Sequence, residues 1–195
     1  MNYMIIDTAN DVANYAIRRN SEDYVLHSPK GDRHSESVLK YLDELLKKSD
    51  LKLKDIDVFG VNVGPGSFTG VRIGLSVLKG FFAGGLNAKV VTFNSLEVIG
   101  EGREGVVCFR ASRDDYFAGD ADINNVTNLR IMTNAEIDAL TEKYESTDFG
   151  ANAELNITER KASAGEFVDI NTITAIYLKL SQAERMLKED KGESK

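Results

Sequence analysis

The chain has 195 residues, 42% of them hydrophobic and 28% charged, with a formal net charge of −7. That length holds one large domain or two small ones, and the acidic balance excludes a stand-alone nucleic-acid binder, which needs a basic face to neutralise phosphate. The single cysteine, Cys108, excludes an internal disulfide framework and a cysteine-rich zinc site, and reads as a small apolar residue of a strand.

Tyr3–Asp7 reads as a first strand. It starts without the charged lead of a signal peptide, and no run approaches about 18 consecutive apolar residues, so a cytoplasmic protein without membrane contact is expected. After a turn at Ala9-Asn10-Asp11, Val12–Arg18 and Glu22–His27 complete an antiparallel meander. His34–Lys48 has helical periodicity, with Val38, Tyr41, Leu42, Leu45 and Leu46 on one face and Ser35 as a cap. Val58–Val63 is a β-branched, buried-type strand. It breaks at Gly64-Pro65-Gly66, where Ser67 opens a helix reaching Gly84. Lys89–Thr92 is a short strand, and Ser95 caps a brief helix, Leu96–Glu101.

Three glycines among charges, at 100, 102 and 105, mark a boundary. The expected units are residues 1–101 and 102–195. After the boundary the pattern restarts in reduced form: strands at Val106–Phe109, Tyr116–Gly119 and Leu129–Met132, a helix at Asn134–Lys143 and a strand at Thr147–Gly150. Glu154–Asp169 is polar and poorly periodic. A last helix begins near Ser181 and is expected to fold back on the first unit. The whole is an α/β chain with a mixed sheet.

The run Val58–Gly74 admits two readings. Strand, glycine turn and helix N-terminus in that order can present backbone N–H groups to an anion, with Asp7, Thr8, Gly64, Gly66 and Ser67 as the candidate phosphate-site residues. Glycines 66, 70 and 74 equally suit close approach of another segment to the helix backbone. A Walker-type loop is excluded because no lysine follows until Lys79, and GxGxxG fails because position 69 is threonine. Asp7 at the tip of the first hairpin has an ordinary reading too, as a turn aspartate bonded to local N–H groups. His34-Ser35-Glu36 lacks a nucleophile elbow and a second spaced histidine, so helix capping is the simpler reading. Phe68, Val71, Ile73, Leu75, Val77, Leu78, Phe81 and Phe82 cover most of the Ser67–Gly84 helix, and such a helix is normally buried on more than one side.

Taken together, Ile6-Asp7-Thr8, His34-Ser35-Glu36, GPGSFTGVRIG at 64–74 and the late YLKLSQAER at 177–185 resemble the TsaB (YeaZ) family over nearly the whole chain. The resemblance implies an actin-like (ASKHA, ribonuclease H-like) two-lobed fold with a reduced second lobe. It implies a non-catalytic platform in tRNA threonylcarbamoyladenosine (t6A) synthesis, paired with a TsaD-like catalytic subunit and, through the complex, a TsaE-like ATPase. tRNA is then reached only indirectly, no resident cofactor or metal is expected, and the isolated chain can form a homodimer. The partner surface falls on the two first-lobe helices, around Ser37, Tyr41, Arg72, Leu75, Ser76, Lys79 and Phe82. Arg110 stands where the family pattern has an aspartate, which weakens any nucleotide contact from the second lobe. Two rival readings are a small actin-like ATPase or phosphotransferase using Asp7 and the Gly64–Gly70 turn, and a purely homodimeric scaffold.

Overall fold

The computed structural model describes residues 1–179. Five strands form the first sheet in the order β3-β2-β1-β4-β5: β1 (Tyr3–Asp7), β2 (Asn14–Arg19), β3 (Glu22–His27), β4 (Val58–Asn62) and β5 (Lys89–Phe93). The meander β1-β2-β3 is antiparallel, and β4 and β5 join in parallel, with Tyr3 opposite both Arg18 and Val58. The second sheet runs β8-β7-β6-β9, from β6 (Glu104–Arg110), β7 (Asp115–Asp122), β8 (Asn125–Thr133) and β9 (Tyr144–Glu145).

Side chains alternate across a strand, so the first sheet has two apolar faces. Met4, Ile6, Ile17, Phe59 and Val61 meet α1 (His34–Lys48) and α2 (Phe68–Ala83) through Val38, Leu42, Leu45, Val71, Leu75 and Leu78. Tyr3, Ile5, Val58, Val91 and Phe93 meet α5 (Ala151–Ser163) through Leu155, Ile157 and Ala162.

A cut at residue 101 does not follow the packing. The helix α3 (Ser95–Gly100), on the near side of it, packs Leu96 and Ile99 into the second sheet against Val107, Phe109, Phe117 and Val126. The helix α5, on the far side, closes the first sheet. The two lobes exchange one helix each, because each sheet needs a cover for an apolar face that its own half of the chain leaves bare. A short α4 (Asn134–Asp138) places Ile137 over Cys108, Tyr116 and Ala118, so Cys108 is an apolar strand residue as expected.

Several local expectations need correction. The stretch read as polar and poorly periodic, Glu154–Asp169, is helical through Ser163 as part of a helix that begins at Ala151. The helix from Asn134 ends at Asp138, and the last strand is Tyr144–Glu145 rather than 147–150. Ser35 lies inside the first turn of α1, whose N-cap is Arg33. Ser95 is likewise inside α3, because Asn94 makes a reciprocal capping box: its side chain accepts from the Glu97 N–H at 2.9 Å, and Glu97 accepts from the Asn94 N–H at 2.7 Å. Ser67 does cap α2, accepting from the Gly70 N–H at 3.1 Å. The helix expected from Ser181 lies outside the described residues.

Candidate functional site

The candidate site is where the tip of β1 meets the glycine turn. Asp7 is fully buried there. One carboxyl oxygen accepts from the Ala9 N–H at 2.7 Å and the other from the Asn62 amide at 2.8 Å. The Asn62 amide also donates to the Ser95 hydroxyl at 3.0 Å. Burial raises the Asp7 pKa, and its hydrogen bonds oppose that rise.

Next to it, Thr8 fastens α2 to β1. Its hydroxyl donates to the Gly70 carbonyl at 2.7 Å and accepts from the Gly74 N–H at 3.0 Å. A Cβ on Gly70 would collide with the Thr8 carbonyl, and one on Gly66 with the Ala9 carbonyl. Two of the turn's donors are used inside the chain: Ser67 N–H bonds the Ala9 carbonyl at 2.7 Å and Gly64 N–H the Asn62 side chain at 2.8 Å. Of the two readings of this run, close backbone approach is what Gly66, Gly70 and Gly74 serve. His34 donates to the Asn10 carbonyl at 2.8 Å, tying the start of α1 to the same turn, and Glu36 pairs with Arg33 on the surface.

A cleft of about 1170 Å³ separates this region from the second sheet. Phe68, Phe109, Phe149 and Tyr177 supply its apolar lining, and Lys30, Arg110 and Lys179 its cations. Arg110 lies over the Tyr116 ring, 4.4 Å from its centroid, and Lys179 is held by Asp115 at 2.5 Å. Asp115 is accordingly held below the ordinary carboxylate range, chiefly by its bond from Lys179.

The proposed helix strip divides. Leu75 is a correction: it lies in the core between α2 and the first sheet. The chain's own late segment occupies the Arg72–Lys79 face. Arg72 donates to the Tyr177 hydroxyl at 2.9 Å and lies 3.9 Å above the Phe68 ring, itself stacked on Tyr177. Lys79 donates to the Ile173 carbonyl at 3.1 Å. The second cover that the apolar circumference of α2 demanded is therefore in part residues 173–177. Tyr41 stacks on Tyr15 with ring centroids 5.4 Å apart, and Phe82 meets Phe59 edge-on, leaving both half-buried. Ser37 is half-buried, Ser76 exposed, and Leu39, absent from the strip read from sequence, is 58% exposed on α1.

Glu154 was also missed, because the segment that carries it had no readable period. It sits fully buried on α5 and accepts from the Asn14 amide at 2.9 Å, and Asn14 is the partner of Asp7 across the β1–β2 ladder. Burial, then the Asp7 carboxylate, push its pKa well above the ordinary glutamate value.

A family model described as TsaD, tRNA N6-adenosine threonylcarbamoyltransferase, matches residues 23–176. The tRNA threonylcarbamoyladenosine biosynthesis protein TsaB of Buchnera aphidicola is 28% identical over 98 residues, 50% of this chain and 44% of that protein. The TsaB of Haemophilus influenzae is 29% identical over 98 residues, 50% of this chain and 41% of that protein. The chain thus spans less than half the length of these two relatives. Among solved structures, YeaZ from Pseudomonas aeruginosa superimposes with a TM-score of 0.76 at 16% identity, covering 91% of this chain and 99% of that one. That likeness shows the shared fold, and together with the family match the two packed sheets fit a two-lobed actin-like architecture.

Proposed function

The chain belongs to the tRNA N6-adenosine threonylcarbamoyltransferase family, in its TsaB (YeaZ) branch, and from that premise we propose that it is a non-catalytic platform subunit in tRNA threonylcarbamoyladenosine synthesis. Its partner is a TsaD-type catalytic subunit, with a TsaE-like ATPase reached through the complex. ATP and metal belong to those subunits, tRNA is met mainly through them, and the compartment is the cytoplasm.

One observation carries the reading. The glycine turn is closed on the Thr8–Ala9 backbone, and both Asp7 oxygens are already bonded to Ala9 and Asn62. A phosphate-handling site needs free donors and an accessible carboxylate. This supports a platform over the rival ATPase.

The surface proposed for the partner is the outward side of α1 and α2, drawn from exposed Leu39 and Ser76 and half-buried Tyr41 and Phe82, with Ser37 at its edge. Arg72 and Lys79 border it through their bonds to the late segment. Apolar anchors in such a patch carry most of the binding energy. Co-expression with the TsaD-type subunit of the same cell, followed by co-purification, tests the proposal. A stable complex that restores threonylcarbamoyl transfer to tRNA is expected. A chain that turns over ATP by itself and never pairs would overturn it.

A further inference from the structure

The buried carboxyl groups of Asp7 and Glu154 face each other from different parts of the chain. Asp7 ends β1, and Glu154 lies on the first turn of α5. Their hydrogen-bond inventory is incomplete by one donor. Asp7 accepts from Ala9 and Asn62, and one oxygen of Glu154 accepts from Asn14. The remaining oxygen of Glu154 has no donor among the described residues, and Asn14, which holds the other oxygen, sits directly opposite Asp7 in the β1–β2 ladder, so the two buried carboxyls are brought to the same place.

Among the described residues no cation is bonded to either carboxyl group; the field of His34 reaches Asp7, but it opposes the rise in the Asp7 pKa less than the hydrogen bonds to that group do. On the elements packed around α5, Lys161 is held by Glu97 at 2.7 Å. Arg18 is held by Asp23 and Glu159, both at 2.7 Å. His27 is bonded to the Asn14 side chain and His34 to the Asn10 carbonyl. Two ionised carboxylates side by side, out of water and with no cation bonded to either, are far too costly to persist.

We propose that Asp7 and Glu154 share a single proton, and that this proton latches α5 to the tip of β1. Glu154 donates from the oxygen that otherwise lacks a partner, and Asp7 accepts, so every buried polar atom of the pair is satisfied. The latch has a long reach. Asn14, which holds Glu154, also donates to the Phe149 carbonyl, and the Phe149 ring stands edge-on to Phe109 of the second sheet at 5.1 Å. The proton therefore helps to set how the lobes meet across the cleft.

The folded state keeps a proton that the unfolded chain releases above about pH 4.5. Stability contributed by the pair is full below that value and is lost as pH rises toward the folded-state value. Glu154→Gln supplies a permanent N–H donor to Asp7 and removes the titration.

Thermal unfolding of the wild type and Glu154→Gln between about pH 5 and about pH 9 tests this. Relative to the variant, the wild-type Tm should fall by about 3–5 °C per pH unit within the window, the loss set by one proton in a chain of this size. Parallel curves would overturn the proposal. If magnesium raises the wild-type Tm at alkaline pH but leaves that of the variant unchanged, the pair is a cation site and the proposal also fails. Should the glutamine variant not fold, infrared spectra of the wild-type protein decide. A protonated-carboxyl band should persist at neutral pH and vanish on alkaline titration, and its absence at neutral pH would refute the shared proton.

Discussion

Gly60 on β4 lies directly beneath Thr158 on α5: a Cβ on this glycine would collide with the threonine hydroxyl oxygen. The hydroxyl is itself committed, donating to the Glu154 carbonyl one turn earlier at 2.8 Å. The helix therefore rests on the sheet at backbone distance, a spacing that only glycine permits.

Gly60→Ala should cost about 2–3 kcal/mol, as overpacking of a closed contact does. Gly80→Ala is its control. No atom lies within 4 Å of a Cβ built there, and alanine in an open helix interior should stabilise by about 0.5–1 kcal/mol. Urea unfolding of both variants reads the two signs, and equal effects would refute the packing argument.

Leu75 and Leu39 should behave in opposite ways. Leu75→Glu puts a charge into the core beneath α2 and should abolish cooperative unfolding. Leu39→Asp, on the exposed side of α1, should leave stability within about 0.5 kcal/mol. It should weaken pairing with the TsaD-type subunit by about 30-fold or more if Leu39 is an anchor. Calorimetry of the isolated chain and titration against the partner separate the effects. Undiminished pairing by folded Leu39→Asp and Phe82→Glu proteins would move the interface elsewhere.

Asp7→Ala should change stability rather than activity. It leaves the Ala9 N–H and one Asn62 donor unsatisfied and removes the partner of Glu154, a loss of about 2–4 kcal/mol. Phosphate release from ATP by the purified wild-type chain should equal a blank, with nothing for the substitution to abolish. Turnover that disappears in Asp7→Ala would restore the ATPase reading.

Two lysine ion pairs of similar length should differ in worth. Lys161 meets Glu97 at 2.7 Å with both side chains largely buried, whereas Lys47 meets Asp43 at 2.5 Å in open solvent. Lys161→Met strands a carboxylate that also caps α3, and should cost about 3 kcal/mol. Lys47→Met should cost less than about 0.5 kcal/mol. Denaturant midpoints of the two variants provide the comparison.

The sequence showed most where one physical signal dominated. The heptad-like apolar face of α1 gave that helix its observed limits, and the short apolar run Tyr24–Leu26 between polar residues marked β3. The glycine run of α2 announced a close approach, but not its target, because Thr8 and Ala9 come from a loop about 60 residues away in the chain. The helix α5 stayed hidden for a stated reason. Its inner stripe is Ala151, Glu154, Leu155, Thr158 and Ala162, a regular helical spacing in which two members are polar. A search for apolar period passes over them, and their burial follows only from Asp7, Asn14 and Gly60 on distant strands. Leu75 was misassigned for a related reason. When a helix is apolar nearly all round, sequence cannot say which residues face the sheet and which face outward.

The exchange of α3 and α5 between the sheets has a consequence during synthesis. When the ribosome has delivered β5, the first sheet can be fully paired and covered on one side by α1 and α2. Its other face, with Tyr3, Ile5, Val58, Val91 and Phe93, stays bare until Ser163 has emerged. At ordinary elongation rates the wait is on the order of 4–14 s. A nascent chain stalled in that interval would display an apolar sheet to chaperones and to its neighbours, so slow translation between Glu101 and Ser163 should favour aggregation over folding.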